Sequence, residues 1–324
     1  MTLSFSPADL IDNGHGIYTL DAHYVAPRVA SIHLIVSSTG EAAFFDTGTN
    51  LSWPIVEGAL AALGIAHDKV RYVIPSHVHL DHAGGAGLMM SKFPQAHLVV
   101  HPRGARHMID PGKLFAATID VYGEEKARRL YGNVTPVPAA RVVEATDGMQ
   151  LALGERVLTV LDTPGHARHH ICLVDGETGG VFTGDMFGLS YRQFDVDGVP
   201  SIIPTTTPSQ FDPDAMKASI RRLLSLNAPA MYLTHFGKIT GLDRLGEDLL
   251  RQLEDHLTVA QAARAVPAEQ RHARIRDQLN GLFVAEAKRK GWPLSEAELL
   301  DWLAGDIDLN AQGLAHWLGT LEAA

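Results

Sequence analysis

The sequence predicts an α/β (α+β) fold in which two sets of strands, with helices beside them, are followed by a helical tail. Apolar and β-branched runs separated by turn residues extend to Val100, and a second series with similar spacing begins near Val142. From Leu242 to Ala324 leucines recur at four-residue spacing and strand patterns stop. We therefore expect one domain of strands and helices at residues 1–241 and a C-terminal helical region at 242–324.

The first set of strands is predicted where apolar residues alternate with polar ones or form a buried run. Ser38–Glu41 supplies the turn of a hairpin, and helices are expected at Trp53–Leu63 and Ala86–Lys92. The predicted strands are Gly16–Leu20, Ala30–Val36, Ala42–Phe45, Val70–Ile74 and Ala96–Val100.

A cluster of metal-ligand residues follows the strand Val70–Ile74. Three imidazoles and one carboxylate stand within six positions, at His77, His79, Asp81 and His82. These donors suit a divalent ion of the zinc or iron type. Alternate residues of an extended segment project to one side, so His77 and His79 can converge while Asp81 and His82 turn toward a second ion. A single histidine is usually a core or surface residue, but this spacing indicates a metal site.

Periodicity weakens between residues 103 and 140, where Pro111–Gly112 and later prolines interrupt short helical patterns such as Glu124–Leu130. An excursion of this kind is consistent with a lid or substrate wall, and equally with simple packing. His101 and His107 lie nearby, and we interpret them as solvated or core histidines.

The second set of strands repeats the meander of the first. Three of its strand ends carry polar residues, in Thr163-Pro164-Gly165-His166, Thr183-Gly184-Asp185 and Tyr232-Leu233-Thr234-His235. The predicted strands are those beginning near Val142, then Met149–Leu153, Arg156–Leu161, Ile171–Val174, Gly180–Thr183 and Ala230–Leu233.

Helices account for the rest of the second half. Asp212 and Pro213 are typical of an N-cap and a first helical position, and the helix they start is expected to end near Leu226. Breaks in the tail are predicted at Val266–Pro267, Gly291–Pro293 and Leu309–Asn310, which gives about four helices. The apolar stripes of these helices must pack on each other, on the domain at residues 1–241 or on a second subunit. A homodimer is therefore one expected arrangement.

Composition excludes several classes of protein. The 324 residues are 46% hydrophobic and carry a net charge of -10, which argues against a nucleic-acid partner. Cys172 is the only cysteine, so no disulfide can form within the chain. The first twelve residues lack the pattern of a secretory signal, and no apolar run reaches about 18 residues, so a membrane span is not expected. The predicted location is the cytoplasm.

The His77–His82 segment resembles the His-x-His-x-Asp-His motif of the metallo-β-lactamase superfamily, and the later polar segments match its remaining motifs in order. The resemblance covers about residues 15–240 and implies an αββα metallo-β-lactamase sandwich with a C-terminal helical extension. It also implies two divalent ions, zinc first with iron or manganese as alternatives. The implied ligands are His77, His79 and His166 for one ion, Asp81, His82 and His235 for the other, and Asp185 bridging both.

The resemblance further implies a hydrolase in which a metal-bridging hydroxide attacks the carbonyl carbon of an ester, thioester or lactone. Asp81 could orient the hydroxide or move a proton, and Tyr191 could donate a hydrogen bond to a carbonyl oxygen. Asp46 is either a turn residue or a support for a ligand histidine. Arg168 is either a substrate contact or a solvated charge. The alternatives to an ester hydrolase are a phosphodiesterase on a small substrate and a non-catalytic regulator that binds a metabolite.

Overall fold

The computed structural model describes residues 3–323, so Met1, Thr2 and Ala324 lie outside the described residues. Within them the chain forms two mixed β-sheets. The first sheet contains β1 (Leu10–Asp12), β2 (Ile17–Asp21), β3 (Ser31–Val36), β4 (Ala42–Phe45), β5 (Val70–Ile74), β6 (His97–Val100) and β7 (Val142–Glu144). The second contains β8 (Gln150–Leu153), β9 (Arg156–Asp162), β10 (Ile171–Asp175), β11 (Val181–Gly184), β12 (Met231–Leu233) and β13 (Gly237–Ile239).

Helices connect the strands and form the tail. The connecting helices are α1 (Trp53–Leu63), α2 (Leu80–Ala83), α3 (Ala86–Lys92), α4 (Pro102–Ile109), α5 (Gly112–Tyr122), α6 (Glu124–Tyr131) and α7 (Pro213–Ser225). The tail contains α8 (Leu242–Ala262), α9 (Ala268–Lys290), α10 (Glu296–Trp302) and α11 (Ala304–Ala323).

Residue contacts divide the chain into two compact units. The first takes in the chain up to Asp162, His169–Gly184 and Ala228–Lys238, and so contains both sheets except the last residue of β13. The second contains Thr163–Arg168, Asp185–Asn227 and the chain from Ile239 onward. The domain boundary expected at residues 241–242 stays a prediction.

The lengths of the connections decide the direction of the strands. In the first sheet β1 to β4 pair antiparallel, and the β3–β4 hairpin turns at Gly40, whose positive φ of 79° suits glycine. From β4 to β7 the pairing is parallel, because each connection carries at least one helix that crosses back over the sheet. In the second sheet β8 to β11 pair antiparallel through short turns, and β11 pairs parallel with β12.

The core of the first unit lies on both faces of the first sheet. Phe45 and Ile74 of that sheet pack in one cluster with Leu158 and Phe182 of the second, so the two sheets lie face to face. The neighbouring Phe44 projects to the opposite face, where it joins a cluster with residues of α1, α3 and α4. The predicted α/β fold is confirmed.

Most of the predicted elements are present at or near their expected ends. The predictions for β4, β5, α1 and α3 match their observed bounds, and α7 begins at Pro213 with Asp212 accepting hydrogen bonds from the first backbone N–H groups. Leu245, Leu249 and Leu253 of the tail are fully buried. Within residues 103–140 the chain is more helical than the weak periodicity indicated, since α4, α5 and α6 fill most of it.

One predicted break is wrong. Leu309 and Asn310 lie inside α11, and the chain breaks instead at Leu303. Asn310 does not cap a helix because its side chain is used elsewhere. It is buried, its Oδ1 accepts from the Thr206 backbone N–H at 2.6 Å, and its Nδ2 donates to the Pro204 carbonyl at 3.1 Å.

Across residues 3–323, no helix has both the length and the apolar character that crossing a membrane requires. The cytoplasmic location stays a prediction.

Candidate metal centre

The local fold brings the motif residues to the carboxyl ends of strands. Asp46 directly follows β4, and the motif follows the parallel neighbour β5. The short helix α2 then carries Asp81 and His82. Gly85 is required just after it, because a Cβ there would lie 2.7 Å from the Thr47 carbonyl oxygen. Gly85 therefore lets the chain pass close to Thr47 at this point.

Three predicted ligands of the first unit form a triangle of donor atoms. The Nε2 atoms of His82 and His235 lie 3.4 Å apart, and Asp81 Oδ2 lies 3.6 Å from the first and 3.5 Å from the second. Donors bound tetrahedrally to one zinc ion at about 2.0–2.2 Å are separated by roughly 3.3–3.6 Å. The triangle therefore fits a divalent ion, and imidazole and carboxylate are suitable ligand types.

Buried acceptors orient the two imidazoles of this triangle. His82 Nδ1 lies 2.8 Å from Asp46 Oδ2, with both side chains fully buried. His235 Nδ1 lies 2.7 Å from the Val29 carbonyl oxygen, which can only accept, so this nitrogen carries the proton. In a neutral imidazole a proton on Nδ1 places the lone pair on Nε2, the atom that faces the triangle.

Asp46 is the centre of the hydrogen bonds beneath the triangle. Its carboxylate accepts from the backbone N–H and the hydroxyl of Ser76, at 2.6 and 3.1 Å, and from the Thr234 hydroxyl. Its backbone has a φ of 60°, a region that L-residues other than Asn, Asp and glycine rarely enter. The Asp46 carboxylate contacts His82, a predicted ligand, and its role as a support for that ligand stays a prediction.

His77 and His79 meet as the alternation of the segment predicts. His77 Nε2 lies 2.8 Å from His79 Nδ1, and His77 Nδ1 lies 3.0 Å from the Ser76 hydroxyl. The rings of His77 and His82 have centroids 4.1 Å apart. The structure thus brings all five predicted ligands of the first unit, from His77 to His82 and His235, into one cluster.

His169 and His170 border the cluster. The ring of His170 stacks on His77 with centroids 5.1 Å apart, and that of His169 lies 6.2 Å from His79. Both are buried. Gly184 permits this packing, because a Cβ there would lie 2.5 Å from Ser76 Cβ and 2.8 Å from His170 Nε2, and its φ is 50°.

The other two predicted ligands belong to the second unit, where they lie close together. His166 Nε2 is 3.5 Å from Asp185 Oδ2, and both residues are buried. The hydroxyl of Thr207 is 3.4 Å from His166 Nδ1. This imidazole–carboxylate pair has the same donor spacing as the triangle of the first unit.

The remaining candidates have ordinary surroundings. The Tyr191 hydroxyl donates to the Asp306 carboxylate at 3.2 Å, and its ring packs on Trp302, so its catalytic role stays a prediction. Arg168 is exposed, in keeping with a solvated charge. Partial burial lowers the pKa of His101 and of His107, and their interpretation as solvated or core histidines stays a prediction.

Ser76 and Thr234 are residues of the site that the sequence interpretation did not single out. Each is a hydroxyl residue directly before a predicted ligand, His77 or His235, and each donates to Asp46. That adjacency is the signal that could have identified them. The Val29 carbonyl has no such signal, because a backbone acceptor is not visible in the sequence.

A separate cluster, Asp9, Asp21 and His23, also has the residue types and spacing of a cation site. Its donors are already used within the loop. His23 Nε2 lies 2.7 Å from Asp9, and the Asp21 carboxylate accepts from the backbone N–H groups of His23 and Arg28. These hydrogen bonds indicate that the three side chains stabilise the loop.

Comparison with known proteins shows the family of the chain. The sequence model of the metallo-beta-lactamase superfamily matches residues 25–235. The metallo-beta-lactamase fold-containing protein ST1585 of Sulfurisphaera tokodaii is 26% identical over 190 residues, which is 57% of this chain and 67% of that protein. The acyl-coenzyme A thioesterase MBLAC2 of Gallus gallus is 29% identical over 185 residues, 53% of this chain and 63% of that protein.

A shorter match is to the N-acyl homoserine lactonase AttM of Azorhizobium caulinodans, 40% identical over 65 residues, 18% of this chain and 23% of that protein. The chain thus spans about two thirds of the first two relatives and a smaller part of the third. Among solved structures, the metallo-beta-lactamase family protein TTHA1429 of Thermus thermophilus has a TM-score of 0.61 at 23% identity, covering 95% of this chain and 94% of its own. With the family match over residues 25–235 and two mixed sheets that lie face to face, the chain belongs to the metallo-beta-lactamase superfamily.

Proposed function

We propose that the protein is a metal-dependent hydrolase that cleaves a carboxylic ester, a thioester or a lactone. The observation that carries the proposal is the triangle of Asp81, His82 and His235, whose donor spacings of 3.4 to 3.6 Å match those around one divalent ion. The relatives named as a thioesterase and a lactonase support the choice of substrate class.

We propose two divalent ions, held as the motif order of the superfamily assigns. We expect zinc first, with iron or manganese as alternatives, because imidazole and carboxylate groups bind all three metals. The proposed ligands are His77, His79 and His166 for one ion, Asp81, His82 and His235 for the other, and Asp185 for both.

Two such ions would lower the pKa of water toward neutrality and offset negative charge on a carbonyl oxygen. The protein's own contribution is orientation. Asp46 and the Val29 carbonyl accept from Nδ1 of His82 and His235, so that the neutral form of each imidazole has its lone pair on Nε2.

Asp81 is the candidate for proton transfer. Its side chain is 21% exposed, whereas those of His82 and His235 are 0% and 7% exposed. The carboxylate is therefore the member of the triangle that solvent and substrate reach most easily, and it can accept a proton from the attacking water or return one to the leaving group.

The proposed partner is a small-molecule substrate. A net charge of -10 disfavours the polyanionic backbone of nucleic acid. The phosphodiesterase and the non-catalytic regulator remain the outcomes against which the proposal is tested.

The test is a substrate panel run on stripped and zinc-reloaded protein. We expect hydrolysis of at least one lactone or thioester by the reloaded protein, none by the stripped protein, and loss of activity in His235→Ala. The exposed histidine variant His97→Ala is the matched control and should retain activity. Hydrolysis of phosphodiesters alone, or binding of acyl compounds without turnover, would contradict the proposal.

A further inference from the structure

Buried polar residues outside the predicted ligand set hold the segment that carries His235. Ser31 and His33 of β3 are both 0% exposed. The Ser31 backbone N–H donates to the Thr234 carbonyl at 2.7 Å, and its hydroxyl lies 3.0 Å from the carbonyls of both Leu233 and Thr234. His33 Nε2 lies 3.0 Å from the Leu233 carbonyl. These contacts join the first sheet to the end of β12, directly before His235.

The imidazole of His33 has a fixed orientation. A carbonyl oxygen only accepts, so Nε2 carries the proton and donates to Leu233. Nδ1 is then an acceptor, and the Thr19 hydroxyl lies 3.2 Å from it. The rings of Phe182 and Tyr232 pack edge-on at 5.5 and 5.8 Å. Burial lowers the pKa of His33 to about 4, so the ring is neutral at pH 7 and has one N–H.

Alternate residues just before and at the start of β3 all contact this segment. Val29 accepts from His235 Nδ1 at 2.7 Å, while Ser31 and His33 bind the two preceding carbonyls. These bonds fix both the backbone and the ring of His235. Its Nε2 thereby lies 3.4 Å from His82 Nε2, and a metal site needs its ligands placed within about 0.5 Å.

We propose that Ser31 and His33 are positioning residues for His235, which hold the Leu233–His235 segment so that the His235 imidazole completes the donor triangle with Asp81 and His82. The proposal rests on the metal site proposed above. It assigns to a neutral core imidazole a role in ion binding that neither residue type nor spacing in the sequence indicates.

The test compares variants that remove the contacts with variants that keep them. His33→Leu removes the N–H donor, and His33→Gln restores one near the position of Nε2. Ser31→Ala removes the hydroxyl but leaves the backbone bond to Thr234. Ile35→Val, on the same strand, is the control for loosened core packing, and Ser37→Ala is the control for loss of a serine hydroxyl that bonds elsewhere.

The first measurement is zinc affinity by chelator competition. We expect His33→Leu to lower the affinity for one of the two zinc ions by about 10 to 100-fold, because losing a residue that orients a ligand lowers metal affinity by this factor. The affinity for the other ion should not change. His33→Gln should recover most of the affinity, and Ser31→Ala should lower the affinity for the same ion. Wild-type affinity for both ions in folded His33→Leu, or an equal loss in Ile35→Val, would overturn the proposal.

The second measurement is the metal-free crystal structure of each variant, which separates this proposal from the proposed function. A His235 ring displaced in His33→Leu and in place in His33→Gln supports the positioning role even if the wild type binds no ion. An unmoved ring in His33→Leu overturns it. If His33→Leu does not fold, both measurements are made on Ser31→Ala. We then expect a displaced His235 ring, and an unmoved His235 ring would contradict the role.

Discussion

Three histidines of the motif cluster formed by His77–His82 and His235 contact a protein oxygen through Nδ1. His82 uses Asp46, His235 uses the Val29 carbonyl and His77 uses the Ser76 hydroxyl. Ser76 donates its own proton to Asp46, so it can accept from His77. In the neutral form of these imidazoles, a proton on Nδ1 places the lone pair on Nε2.

Asp46→Asn tests this orientation at a single residue. The amide keeps the shape and tolerates the φ of 60°, but its NH₂ group faces donors where Oδ2 accepted from His82 and Thr234. The tautomer of His82 should reverse, and zinc affinity should fall by about 10 to 100-fold in chelator competition.

The matched control for this variant is Asp9→Asn, which makes the same change at the His23–Asp9 pair outside the motif cluster. Its zinc affinity should equal that of the wild type. Unchanged zinc binding in Asp46→Asn would show that the carboxylate does not orient His82.

At the scale of elements, the tail helices are fixed by buried polar groups as well as by leucines. Asn310 of α11 binds the backbone at Pro204 and Thr206, and His256 of α8 donates through Nδ1 to the Gln252 carbonyl at 2.8 Å while its ring lies edge-on to Phe283 of α9. Neither role follows from helical periodicity.

Asn310→Ala should destabilise the protein by about 1–3 kcal/mol, because it leaves the Thr206 N–H and the Pro204 carbonyl buried without their partner. Urea unfolding measures the change. Gln312→Ala, two residues along the same helix, should have a smaller effect, since Gln312 bonds the Asp308 side chain within the helix. Equal stability of Asn310→Ala and the wild type would contradict the role assigned to Asn310.

The buried imidazole of His256, between α8 and α9, makes the stability of the protein depend on pH. Burial lowers the pKa of His256 from 6.5 to about 4, so between these values the unfolded chain binds a proton that the folded chain does not. Stability is therefore lost as pH falls from 6.5 toward 4, and from pH 7 to 5 the loss is about 2 kcal/mol.

Urea unfolding of metal-free protein at pH 7 and pH 5 measures the contribution of His256. His256→Gln should lose about 2 kcal/mol less than the wild type over this interval, while the exposed-site variant His97→Gln should behave as the wild type. An unchanged pH dependence in His256→Gln would contradict a buried neutral imidazole.

At the scale of the whole molecule, the sequence predicts the features that depend on the pattern of neighbouring residues. The strands around Phe44 and Phe45 and the helix at Ala86–Lys92 follow from periodicity, and the ligand residues follow from the spacing at His77–His82. Contacts between distant segments are not encoded in this way.

Asn310 lies inside a helix and bonds a distant backbone segment, and Asp46 contacts the predicted ligand His82, which lies 36 positions along the chain on α2. His33 bonds a carbonyl 200 positions away. Each depends on the tertiary fold, which no single stretch of sequence shows. The contacts of Asp46 and His33 also orient ligand candidates.

The most direct test of the metal centre is elemental analysis of the purified protein after equilibration with zinc and removal of unbound ions. We predict two ions per chain in the wild type and in His97→Ala, and loss of bound metal in His77→Ala and in Asp185→Ala. Two ions per chain in both His77→Ala and Asp185→Ala, or none in the wild type, would contradict the account.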